Sequence, residues 1–226
     1  MQIYNIYIDF CKTRGIKMAF GFFFNMEKLS LIIAENHINN MTNNNYEDDV
    51  FLDSKNLLIN LENGFVALTQ LNCYFESFLN TIINSCMNYD GEIILKCSIE
   101  EKLEIIFMHY EKNYASIKSL HCWELHRTAT NVRNEMIHFK KTYIGQGSWI
   151  PNFKLGKVFV AEYFTKDNIM KTYEGYVSLC HEIAQVLGLK IFDKVDVFEC
   201  DGRDGLTNYV FDAKYTNVDE TRFEEN

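Results

Sequence analysis

Leu57, Leu61, Phe65, Leu68, Phe75, Phe78 and Ile82 recur at helical spacing between Asn56 and the Asn88–Gly91 stretch. At 3.6 residues per turn they line one face of a helix of roughly thirty residues. An apolar stripe that long has to be buried along its whole length. The chain must therefore supply other helices to cover it, which predicts a bundle. The composition allows this, with 47% hydrophobic residues, 23% charged residues and one proline, Pro151, in 226 residues.

Further helices are legible downstream. Ser98-Ile99-Glu100-Glu101 is a capping-box pattern that opens a second helix, with Leu103, Ile106, Phe107 and Tyr110 on its buried side. A third is expected from about Ser116 to Lys141. A fourth starts near Thr165, carries Ile169, Tyr173, Val177, Cys180, Ile183 and Leu187, and stops at Gly188. Upstream, Glu27 to Ile38 reads as a short helix, followed by an Asn-rich linker from Asn39 to Asn45.

Gly145, Gly147, Pro151 and Gly156, followed by KVFVAEYF, read as a loop with a short hairpin. In the tail, VDVFEC and LTNYVFDAKY read as two strands about the DGRDG turn. That turn lacks the ligand order of a calcium loop. The expected organisation is an N-terminal extension over 1–50, a helical domain over 51–190 with a hairpin insert at 143–164, and a β-hairpin tail over 191–226. The fold class is mainly α, an antiparallel four- to five-helix bundle with small β-hairpin appendages.

A formal charge of −9 at pH 7 argues against non-specific coating of nucleic acid, which draws on Lys and Arg. A small local site remains compatible with it. The seven cysteines form no CxxC pair and several lie on apolar helix faces, which fits a reduced, cytoplasmic setting. The apolar run Ile16–Met26 is about half the roughly 20 residues that a membrane span needs, so it reads as a buried element, with a targeting or membrane segment behind Lys12, Arg14 and Lys17 as the alternative, and no membrane partner is expected.

The third helix carries the chemistry, in the segment VRNEMIHFK from Val132 to Lys140. With Val132 at zero on a helical wheel, Leu125, Ala129, Met136, Phe139 and Tyr143 fall within about 60° of it and form a core stripe. Arg133 falls near 100°, Ile137 near 140°, Asn134 near 200° and His138 near 240°. Trp123, His126 and Thr130 project to the same side as these. A solvated face is normally rich in Lys and Glu, so this mixture reads as a contact surface with chemistry in it. Cys122 and His126 lie four residues apart, but two ligands without a second pair make a poor zinc site, and no metal is expected.

The segment Arg133-Asn134-Glu135-Met136-Ile137-His138 resembles the R-N-x-x-x-H motif of the HEPN superfamily. With the helix order, the resemblance covers about residues 56 to 190. It implies a helical bundle, usually dimeric, that cleaves RNA without a metal or cofactor, in toxin–antitoxin or anti-phage defence settings. Arg133 and His138 would be the catalytic pair, with Asn134 the polar residue beside the arginine. Glu76 is the nearest match to an acidic residue that many members carry in the first long helix. The resemblance further implies an RNA substrate, a homodimer formed through the Arg133/His138 face, and an antitoxin partner. The alternative within the family is a catalytically inactive module that binds a partner protein or a nucleotide.

The chemistry suits these residue types. Metal-free cleavage needs a proton taken from a ribose 2′-OH, a proton given to the leaving 5′-oxygen, and compensation of charge on the phosphorane. An imidazole moves protons near neutral pH, and a guanidinium stays charged and offers a planar fork to phosphate oxygens.

Overall fold

The computed structural model describes residues 21–24, 26–43, 50–87, 92–138, 154–155, 157–191, 198–201 and 215–217. In chain order the elements are β1 (Gly21–Phe24), α1 (Met26–Asn39), α2 (Val50–Thr81, continued by a π turn at Ile82–Cys86), α3 (Glu92–Leu95), α4 (Ile99–His109), α5 (Ala115–Lys118) and α6 (His121–Ile137). Then come β2 (Lys154–Leu155), β3 (Val158–Phe159), α7 (Val160–Tyr163), α8 (Lys166–Leu187), β4 (Leu189–Ile191), β5 (Phe198–Asp201) and β6 (Tyr215–Asn217). The fold is mainly α, as the long apolar stripe requires. Among the described residues no helix is long and apolar enough to cross a membrane.

Helix α2 is the spine. Leu68, Leu71, Phe75, Phe78, Leu79, Ile82 and Ile83 are fully shielded from solvent, and α1, α4, α6 and α8 all pack against it. Burying side chains of this size contributes about 1.5–3 kcal/mol each, which makes the stripe the dominant organiser. Helix α6 lies against both α2 and α8. The approach to α8 is close because residue 175 is glycine: a Cβ there would sit 2.7 Å from Leu125 Cδ1.

The helix boundaries follow their local signals. Ser98 accepts from Glu101 N–H (3.3 Å) while its own N–H donates to Glu101 Oε2 (2.7 Å), completing the capping box of α4. Thr165 caps α8 through the Asn168 N–H. Gly188 ends the helix in the left-handed region at φ 72°, where a glycine carries no Cβ penalty.

Four expectations are corrected. The third helix, read as continuous from Ser116, is broken into α5 and α6 with Ser119 and Leu120 between them; residues 139–153 lie outside the described residues. Trp123 and His126, read as part of an outer contact face, are core residues. The helical unit begins at Met26 rather than residue 51. Helix α1 buries Ala34 and Ile38 in the core, and His37 Nδ1 meets Asn63 Oδ1 at 2.9 Å. The helix itself is the short one expected over Glu27 to Ile38; what the sequence does not show is that it packs against α2.

The tail pairs otherwise than expected where it is described, and residues 206–214, nearly all of the second expected strand, lie outside the described residues. β4 pairs antiparallel with β6, and β2 with β3 inside the expected hairpin insert. β5 pairs antiparallel with β1 in a separate compact unit drawn from residues 1–25 and 194–212. Alternating residues mark a strand but do not name the edge it will join.

Candidate functional site

Helix α6 buries a wider arc than its aliphatic stripe suggests. Trp123, His126, Ala129 and Val132 are all buried, which extends the core side from about 0° to about 180° on the wheel. The aromatic half of that arc is a nest. The His126 ring lies 4.7 Å from Phe75, 5.1 Å from Tyr176 and 5.1 Å from Trp123, and Trp123 meets Tyr114 edge-on at 6.0 Å. His126 Nδ1 has no hydrogen-bond partner, and burial lowers the imidazole pKa to about 4. It is a neutral core histidine. No group of three His, Cys, Asp or Glu side chains placed to hold a metal occurs among the described residues.

His126, Thr130 and Arg133 form a polar ridge on this buried side, at i, i+4 and i+7. Thr130 Oγ1 donates to Asn72 Oδ1 of α2 (2.8 Å), and Asn72 Nδ2 donates to the Leu68 carbonyl (2.8 Å). The Tyr176 hydroxyl of α8 is buried without a partner, and burial pushes its pKa up; the nearby Thr130 hydroxyl partly opposes that rise. Arg133 closes the ridge where the core runs out. It is half-buried, and its Nε is shielded and unpartnered. Its charge is felt at the Cys73 thiol, whose pKa burial raises and Arg133 lowers.

Arg133 is nevertheless turned toward the solvent edge. Its Nη1 donates to Asn134 Oδ1 at 2.6 Å, so the guanidinium reaches from about 100° on the wheel toward about 200°, where Asn134 sits. Asn134 and His138 are exposed. His138 is the C-cap of α6, its backbone N–H bonded to the Asn134 carbonyl at 3.0 Å. Ile137, between them, is 50% exposed. The last turn of α6 thus carries an arginine fork bonded to an amide, with an exposed aliphatic side chain and an exposed imidazole following them in the chain.

Glu76 has a different occupation. Its Oε1 receives a 2.7 Å bond from Lys102 Nζ of α4. The Lys102 side chain is fully shielded, and that of Glu76 is half exposed. The carboxylate anchors α4 to α2. Glu76→Ala is expected to cost about 2 kcal/mol, less than for a fully buried pair because water reaches the lysine end once the carboxylate is gone. Adding Lys102→Met should recover most of the loss in urea denaturation. Full stability of Glu76→Ala alone would refute the anchor.

Asn72, Cys73 and Tyr176 join this ridge without being marked by the helical pattern of the sequence. Asn72 could have been found as an amide beside the apolar stripe of the first long helix. Tyr176 carries no such signal. No protein-family model, curated protein or solved structure matches the chain.

Proposed function

We propose that the chain is a metal-independent endoribonuclease of the HEPN type, acting as a homodimer in a toxin or anti-phage role held in check by an antitoxin. The observation that carries this reading is the end of α6, where Arg133 is bonded to Asn134 Oδ1 on the exposed edge that also bears His138. In this reading the guanidinium binds phosphate oxygens and compensates charge in the transition state. His138, at the solvent edge, moves the proton between the 2′-OH or the 5′-oxygen and water. Two copies facing across a dyad supply two of each group, and the exposed Ile137 contributes to the seam. Trp123 takes no part in that seam, because it is spent on the core of its own chain.

The test is incubation of the purified full chain with total RNA in EDTA. Cleavage is expected to survive chelation, the products to end in 2′,3′-cyclic phosphate, and the protein to sediment as a dimer at micromolar concentration. Absence of cleavage with and without added magnesium or manganese would remove the nuclease reading in favour of an inactive binding module. Cleavage that depends on an added metal would refute the mechanism.

A further inference from the structure

Arg133 lies in the last turn of α6, where a helix end frays unless something outside the helix holds it. Among the described residues, no side chain from 131 to 138 hydrogen-bonds another element; the Arg133–Asn134 bond stays within the helix. The last side-chain tether before that turn is Thr130, whose hydroxyl donates to Asn72 Oδ1. Asn72 is itself fixed to the Leu68 carbonyl in the middle of the spine and is nearly buried. Thr130 precedes Arg133 by three residues, so it lies almost beneath it on the same face. The bond therefore acts with the core packing of Val132 and Met136 to set the rotation and the height at which the Arg133 stem leaves the core.

We infer that Thr130 and Asn72 are positioning residues that clamp the end of α6 to α2 and so fix the Arg133 guanidinium for a phosphate. The catalytic part of this inference rests on the nuclease reading; the clamp does not. Two further observations agree with it. Arg133 Nε is shielded and unpartnered, a state that persists only while the stem is held in the core, because an unheld arginine would carry that donor to water. The Tyr176 hydroxyl of α8, also buried, lies beside the Thr130 hydroxyl and adds a second polar group against the ridge. Asn72 and Thr130 share no charge, so the clamp is a matter of direction and distance rather than of electrostatics. A misplacement of about 1 Å at a group that binds a reacting phosphate lowers turnover by up to about 100-fold.

The test compares wild type, Thr130→Ser, Thr130→Val and the double variant Asn72→Leu/Thr130→Val in the full chain. The double variant replaces both partners with apolar groups of similar size, which keeps it folded even if Thr130→Val alone leaves the Asn72 amide unsatisfied and unfolds. The primary readout is hydrogen exchange of the Arg133 Nε–H in nitrogen-15 spectra, with the exposed Arg127 as internal reference. Slow exchange is expected in wild type and Thr130→Ser, and exchange at least about tenfold faster in the double variant as the stem is released. RNA cleavage is read in parallel: kcat is expected to fall about 10- to 100-fold in the double variant, with KM within twofold and recovery in Thr130→Ser. Unchanged Nε–H exchange in the double variant overturns the clamp, whatever the activity. Faster exchange with unchanged kcat overturns the positioning role. A wild type that cleaves nothing removes the nuclease reading, while the exchange data still decide the clamp.

Discussion

His138→Ala is expected to lower RNA cleavage by about 10²- to 10⁴-fold, the range that one general acid–base group contributes, with little change in melting temperature. His138 caps α6 through its backbone N–H alone, and its exposed side chain makes no described hydrogen bond, so removing that side chain opens no cavity. Arg133→Ala is expected to lose cleavage to a similar extent, but it also removes a half-buried stem from the end of the polar ridge. A measurable loss of stability should accompany it, and Arg133→Lys is the better companion variant. The lysine keeps the charge and most of the stem but lacks the fork that reaches Asn134 and a phosphate together, so it should fold normally and remain strongly impaired. Cleavage measured on total RNA in EDTA, with unfolding curves on the same samples, separates the two effects. Equal cleavage by wild type and His138→Ala would dismiss the catalytic assignment.

The second large effect concerns folding, not catalysis. Loss of stability with acid is expected to contain a contribution from His126, whose folded-state pKa is about 4 because it is enclosed by Phe75, Trp123 and Tyr176. In the unfolded chain the imidazole takes up a proton near pH 6.5, so between about 6.5 and 4 the unfolded state binds more protons than the native state. The contribution is therefore fully present above about pH 6.5 and is lost as pH falls. It amounts to about 2 kcal/mol gone by pH 5 and about 3 kcal/mol by pH 4. Carboxylates titrate over part of the same window, so the decisive quantity is a difference. His126→Phe keeps an aromatic ring in the nest and cannot be protonated. Its stability relative to wild type should rise by about 2 kcal/mol on going from pH 7 to pH 5 in urea denaturation. A constant difference between the two proteins across that range would show that His126 is not buried as described.

The two predictions draw on opposite sides of one helix, and only one side was readable in advance. Ala129 and Val132 were assigned to the core from aliphatic periodicity, and both are buried. Asn134 and His138 were placed on the outer side, and both are exposed. Trp123 and His126 are buried where the sequence predicts an outer face, because a wheel gives angles but not the width of the arc that neighbours cover. Tyr176 from α8 and Phe75 from α2 close over them, and nothing within α6 itself announces those rings. Glu76 shows the same limit. Its position on the long helix is plain in the sequence, but its partner, Lys102, lies 26 residues away and is fully shielded.

The sequence by itself determined that the chain is mainly helical and which of its residues form the spine. Those properties are local: the spacing of Leu57 to Ile82, the Ser98–Glu101 box, and Gly188 at the end of α8. Each is set by interactions within a few residues of the backbone. Tertiary structure alone decided which polar residues were drawn into the core and which stayed outside. It turned His126 into a neutral core group, bound Glu76 to Lys102, tied Thr130 to Asn72 and left Arg133 at the boundary. The physical reason is that burial belongs to the packing of three helices at once. A side chain's charge state, its partner and its exposure change with that packing, while its place in the helical period does not.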